Sequence, residues 1–218
     1  MNFDNMFRKM AATCLAASGI LIALFWILHP DVPTDPAVYQ YEHYLGLLGT
    51  LLLPVGLVGI YSRLVEAKTG WLAFTGFLLA FFSSLLAIGV SAADTFIWPA
   101  IVRVQPALIL TEHGHFDQSS EIFTANFVLI MGALPFVIFG YSLLGVVFWR
   151  KQMFPRQAIV LFVYAAWATA VAPGFVPHSD LVLNVLIYTP AAIGLTWIGL
   201  GLWRGTDTAA ATSHPAAA

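Results

Sequence analysis

Histidine and carboxylate side chains are the groups of this 218-residue chain that could carry out chemistry. All of its six histidines except His214 fall in segments that we place at one end of the molecule. Imidazole and carboxylate groups together bind transition metals such as zinc, iron or copper, and they also serve in general acid–base catalysis near neutral pH. The candidate metal ligands are His29, His43, Asp94, His113, His115 and His178.

His43 and Asp94 are the two strongest candidates because each lies at the end of a run of small residues. These runs, His43–Gly56 and Gly76–Asp94, place glycine, alanine, serine or threonine at helical spacing, which lets helices approach closely. We therefore predict that His43 and Asp94 meet at the outer boundary of a membrane, where a poorly hydrated carboxylate needs a cation or a donor. Since a metal site takes three or four protein ligands, another histidine would have to complete it.

Each of these features also has a plainer interpretation. Stripes of small residues are ordinary packing seams in membrane helices. His113 and His115 lie in a polar loop where water can solvate them, and His29 before Pro30 is typical of a helix stop at the interface. No G-x-S-x-G, H-E-x-x-H, Walker A or C-x-x-C motif specifies a reaction, and a single cysteine, Cys14, excludes an internal disulfide.

The composition indicates which kind of fold positions these residues. Hydrophobic residues make up 60% of the chain and charged residues only 9%, and the mean hydropathy is +0.84. Soluble domains carry roughly 25% charged residues, so lipid is the expected solvent. We predict an all-α integral membrane bundle. The net charge of −2 gives no reason to expect a nucleic-acid partner.

Six uncharged stretches predict six transmembrane helices. Each approaches the ~20 residues that cross the hydrocarbon region, and none alternates as a membrane strand would. We predict a six-helix transmembrane domain over residues 1–206 and a disordered tail over residues 207–218. The predicted spans are Met10–Leu28, Tyr44–Tyr61, Trp71–Ala93, Thr124–Trp149, Ala158–Val176 and Leu181–Trp203.

The basic residues predict the orientation. With both termini in the cytoplasm, all nine basic residues except Arg103 lie inside, as the positive-inside rule requires. The histidines and Asp94 then lie at the outer end of a protein of the cytoplasmic membrane. Pro54, Pro135 and Pro190 recur at similar depths, which indicates either three duplicated helical hairpins or prolines of the kind common in membrane helices.

The leading functional hypothesis is a bacterial membrane protein with an outward-facing His/Asp site. It would bind a transition metal and act on a membrane-soluble small molecule or lipid. Two alternatives stay open: a non-catalytic subunit that packs against partner subunits or further copies of itself, and a carrier for a small neutral or lipidic molecule. The overall pattern resembles small multipass proteins of bacteria, a resemblance that carries no motif and implies no activity.

Overall fold

The computed structural model describes residues 3–29, 36–112, 117–175 and 180–205, without the side chains of residues 36–39 and 174. The predictions for His113, His115, His178 and the tail 207–218 therefore lie outside the described residues. The described chain folds into helices joined by turns, as the all-α prediction requires. Its seven α-helices are α1 Phe3–Leu28, α2 Pro36–Glu66, α3 Trp71–Ala92, α4 Trp98–Val104, α5 Glu121–Lys151, α6 Arg156–Val171 and α7 Leu181–Arg204.

Five helical segments are long and apolar enough to cross a membrane, so the chain has the character of a membrane-spanning protein. They are α1, α2 from Gln40, the continuous helical stretch Trp71–Val104, α5 and α7. Helix α6 is also apolar but has only 16 residues, or about 24 Å of helix. The sixth crossing stays a prediction.

Helix α6 is shorter than the predicted span Ala158–Val176 because of a proline near its end. Proline has no N–H to donate, and in an α-helix its ring would crowd the carbonyl group four residues earlier. The α-helix accordingly ends at Val171, and a 3-10 turn over Ala172–Gly174, which contains Pro173, follows it.

The six long helices pack in a closed ring of neighbours. Going round the ring, α1 contacts α2, α2 contacts α3, α3 contacts α5, α5 contacts α6, α6 contacts α7 and α7 contacts α1. Neighbours run antiparallel: Gly46 faces Phe25, whereas Gly59, further along α2, faces Ala11 near the start of α1.

The beginning of α1 and the end of α7 lie at the same end of the bundle. The Lys9 ammonium group sits 5.6 Å from the centre of the Trp203 ring, and the Arg8 guanidinium group lies beside Gly205. This arrangement fits an even number of crossings. The side of the membrane on which this end lies stays a prediction.

Two separate hydrophobic clusters hold the bundle together. The large one fills the interior and contains fully buried side chains from six helices. The small one joins α4 to the connection before α5, where Trp98 and Ile109 are buried and Phe123 packs against them. Representative members of the large cluster are Leu15, Leu57, Leu144, Phe162 and Ile198.

Candidate functional site

His29 and His43 lie side by side at one end of the bundle. His29 directly follows α1, His43 lies in the first turns of α2, and their ring centres are 4.8 Å apart at an interplanar angle of 71°. The Phe25 ring contacts both, with centres 4.8 Å from His29 and 5.1 Å from His43. His43 is only 2% exposed, so one imidazole of the pair is enclosed by protein.

A glycine in α2 permits this arrangement. Gly46 lies one turn after His43, and a Cβ atom there would be 3.0 Å from the Cγ atom of Phe25. Without that atom, the Phe25 ring can lie flat against the α2 backbone between the two helices. The small-residue run after His43 therefore serves the close approach of α1.

Asp94 lies within a π-helical segment, Ala93–Ile97, that joins α3 to α4. The α-helix α3 ends within one residue of the predicted span Trp71–Ala93, but helical backbone does not stop at Asp94 and continues to Val104. Pro99 supplies a physical reason: it cannot donate to the Thr95 carbonyl, and its ring would crowd that group in an α-helix. The wider π turn accommodates this, with the Trp98 N–H bonded to the Ala93 carbonyl.

A hydroxyl group fastens the π segment to α2. The Oγ1 atom of Thr95 donates to the main-chain carbonyl of His43 at 3.2 Å and lies 2.6 Å from the Ser91 carbonyl. Thr95 is fully buried. One residue earlier, the half-buried Asp94 carboxyl group lies beside the Trp98 side chain. Thr95 therefore joins the segments that carry His43 and Asp94, and the predicted meeting of the His43 and Asp94 side chains stays a prediction.

Helix α7 contributes an aromatic and a polar residue to the same end. Tyr188 is buried and its ring stacks on Trp26 of α1, with centres 5.5 Å apart and planes 11° from parallel. Asn184, one turn earlier on α7, is fully buried. Trp26 in turn packs edge-on against His29, with ring centres 5.8 Å apart. The histidine pair is thus connected to α7 through aromatic rings.

The connection before α5 is held by short-range hydrogen bonds. The Ser119 N–H and hydroxyl groups donate to the Asp117 carboxylate at 2.9 and 2.6 Å, and they hold the pKa of Asp117 below its usual value. The Asp117 N–H donates to the main-chain carbonyl of the buried Ile109, and the Ser120 hydroxyl donates to the main-chain carbonyl of Leu108. These bonds join Asp117 and Ser120 to the turn that follows α4.

The structure brings together part of the predicted ligand set. His29 and His43 pair, and Asp94 lies on the segment joined to the His43 backbone. Over residues 3–29, 36–112, 117–175 and 180–205, no three histidine, cysteine, aspartate or glutamate residues gather as a metal-binding group. The remaining candidates, His113, His115 and His178, are outside those ranges, so the metal site stays a prediction.

Sequence reasoning missed Thr95, Trp98 and Tyr188. Thr95 continues the small-residue run one turn beyond Ser91, a signal that the assumed helix end at Asp94 concealed. Tyr188 offered no comparable signal, because an isolated tyrosine in an apolar stretch does not reveal its ring partner.

No protein-family model, curated protein or solved structure matches this chain.

Proposed function

We propose that this is a multipass protein of the bacterial cytoplasmic membrane whose outward-facing end holds a transition metal. The metal would act on a membrane-soluble small molecule or lipid. The observation that supports this most directly is the histidine pair. Two imidazoles bound to one metal at about 2.0–2.1 Å place their ring centres roughly 5 Å apart, and the observed separation is 4.8 Å.

His29 and His43 would supply two nitrogen ligands, and a histidine of the outer loops, His113, His115 or His178, would complete the set. A bound zinc or iron ion would act as a Lewis acid on a substrate oxygen or activate water. The ring contacts of Phe25 and Trp26 would fix the imidazole orientations. The Thr95 hydrogen bond would hold the α2 backbone at His43 in place.

The packing of α5 supports a substrate that comes from the bilayer. The first twelve residues of α5, Glu121–Gly132, include no buried residue, and burial begins at Ala133. Asn126 is half-buried on this stretch. The wall of the bundle is therefore loosely packed next to the polar end, which favours access for a lipophilic molecule from the side.

Metal content of the purified full-length protein tests the proposal. The proposal places one site with a complete ligand set in each chain. We therefore expect elemental mass spectrometry to find about one transition-metal ion per chain. His29→Ala and His43→Ala should each remove most of the metal. His214→Ala, which changes a histidine far from the site in sequence, is the matched control and should retain it.

A protein that folds normally but carries no metal, even when zinc, iron and copper are supplied during expression, would contradict the metal site. That outcome would favour a non-catalytic membrane subunit. The ring contacts of the histidine pair with Phe25 and Trp26 suit such a role as well, because they are good packing contacts in themselves.

A further inference from the structure

A second candidate site lies at the opposite end of α2 from the histidine pair. A cavity of about 330 Å³ opens there between the end of α2 and the start of α3. This volume is at the lower end of the range for ligand pockets, roughly 300–1,000 Å³. Its lining includes Tyr61, Leu64, Val65, Lys68, Trp71 and Phe74.

The inner wall of the cavity is apolar and well supported. The Tyr61 ring stacks on Phe77, with centres 4.3 Å apart, and lies 5.9 Å from the Phe74 ring. Leu64 is fully buried beneath it. These contacts keep an apolar surface in place without a ligand, so a hydrocarbon segment could bind there with little reorganisation.

A single cation stands at the rim of this apolar wall. Lys68 is exposed on the turn, and the Thr69 hydroxyl donates to the Leu64 carbonyl at 2.9 Å, which fixes that turn. The nearby Glu66 carboxylate is bonded to Arg63 at 2.7 Å. Within the described residues Lys68 makes no ion pair, so its charge is available to an anion.

The outer rim of the cavity has the features of a membrane interface. Trp71 is 76% exposed and Val65 is 57% exposed, at the adjoining ends of two membrane-length helices. Tryptophan prefers the level of the lipid headgroups. A lipid that reaches this cavity from the bilayer would therefore place its headgroup and the upper part of its acyl chains there.

We propose that this cavity binds an anionic phospholipid. Its phosphate group would lie against Lys68, and its acyl chains would lie between Tyr61 and Phe74. The charge fits, because anionic lipids attract basic residues at the cytoplasmic surface. This inference rests on the membrane placement in the proposed function but not on the metal site.

The test measures lipid retained by the full chain purified from equal parts phosphatidylglycerol and phosphatidylcholine. Native mass spectrometry should show retention of phosphatidylglycerol in preference to phosphatidylcholine. Lys68→Gln should lower that preference about fivefold, as expected for one basic residue near an anionic surface. The matched control is Lys151→Gln, which removes an exposed lysine at the end of α5 that does not line the cavity.

A second variant tests the apolar wall of the cavity separately from the charge of Lys68. Trp71→Ala leaves Lys68 in place but removes one wall, so it should also lower phosphatidylglycerol retention. The proposal is overturned if the wild type shows no preference, if Lys151→Gln acts as strongly as Lys68→Gln, or if soluble glycerol 3-phosphate displaces the lipid at equal concentration. Metal content measured on the same samples would show separately whether the histidine site is present.

Discussion

Thr95 connects two parts of the candidate site through its hydroxyl group. It donates to the backbone of His43 and lies close to the Ser91 carbonyl, four residues earlier in its own helix. A threonine that bonds back to its own helix is common in membrane proteins. The bond to a neighbouring helix ties the π segment to α2 and so fixes where His43 stands relative to Asp94.

Thr95→Val tests this connection because valine keeps the shape and loses the hydroxyl group. We expect the free energy of unfolding to fall by about 0.5–1.5 kcal/mol, in line with hydrogen bonds measured between membrane helices. Denaturation of the purified protein in mixed detergent micelles would measure it. Thr95→Ser keeps the hydroxyl group and should recover most of the loss. A loss in Thr95→Ser with no loss in Thr95→Val would show that the methyl packing, and not the hydrogen bond, matters at Thr95.

The residue types of the site were predictable from the sequence, but their partners were not. His43 and Asp94 were found because polar side chains that end small-residue runs are conspicuous in an apolar sequence. Their contacts run through Thr95 and Trp98, and those depend on the π turn. That turn arises from local crowding near Pro99, which hydrophobic periodicity does not reveal.

The prolines of α2, α5 and α7 are each followed, four or five residues later, by a glycine in close contact with the preceding antiparallel helix. Gly59 meets Ala11, Gly140 meets Ala80, and Gly194 meets Leu161. The three contacts occupy corresponding places in the helix pairs α1–α2, α3–α5 and α6–α7. These contacts give the three glycines a packing role, and the repeated hairpins stay a prediction.

Two glycines of α5 provide a matched test of that packing. A Cβ atom on Gly140 would lie 2.9 Å from the Cα atom of Ala80, which is backbone and cannot move aside easily, so Gly140→Ala should destabilise the protein by about 1–3 kcal/mol. Gly132→Ala meets nothing within 4 Å and should be neutral or stabilising by up to about 1 kcal/mol. Thermal unfolding of both variants in one detergent would compare them. Similar midpoints would contradict a tight α3–α5 contact.

The limits of the helices show what hydrophobicity alone predicts. The apolar stretches located the five membrane-length helices, but α1 begins at Phe3 and α2 at Pro36, several residues before the predicted spans. Polar residues continue a helix beyond the apolar part because its hydrogen bonds are local. Conversely, α6 ends five residues early, where Pro173 interrupts an otherwise apolar run.

At the scale of the whole molecule, the orientation and the sixth crossing can be tested together. In a chain with Cys14 replaced by alanine, single cysteines at Ser119 and Ser179 should react with a membrane-impermeant thiol reagent in intact cells, because both lie on predicted outer segments. Cysteines at Thr69 and Lys151 should react only after the cells are opened.

Positions 151 and 179 lie on either side of α6, so they report on that helix in particular. Labelling of both in intact cells, or of neither, would mean that α6 does not cross the membrane. Reversed labelling at all four positions would overturn the outward placement of the histidine site and the cytoplasmic placement of the lipid cavity.

The contact between α1 and α7 closes the ring, and it joins the first and last helices of the described residues. Because synthesis proceeds from the N-terminus, α1 enters the bilayer long before its second neighbour exists. Until α7 arrives, the face of α1 that holds Ala12, Ala16 and Gly19 must be covered by lipid or by another protein. A nascent chain stalled before Leu181 would therefore be an incomplete ring, with an open seam that a chaperone, a protease or a second nascent chain could recognise.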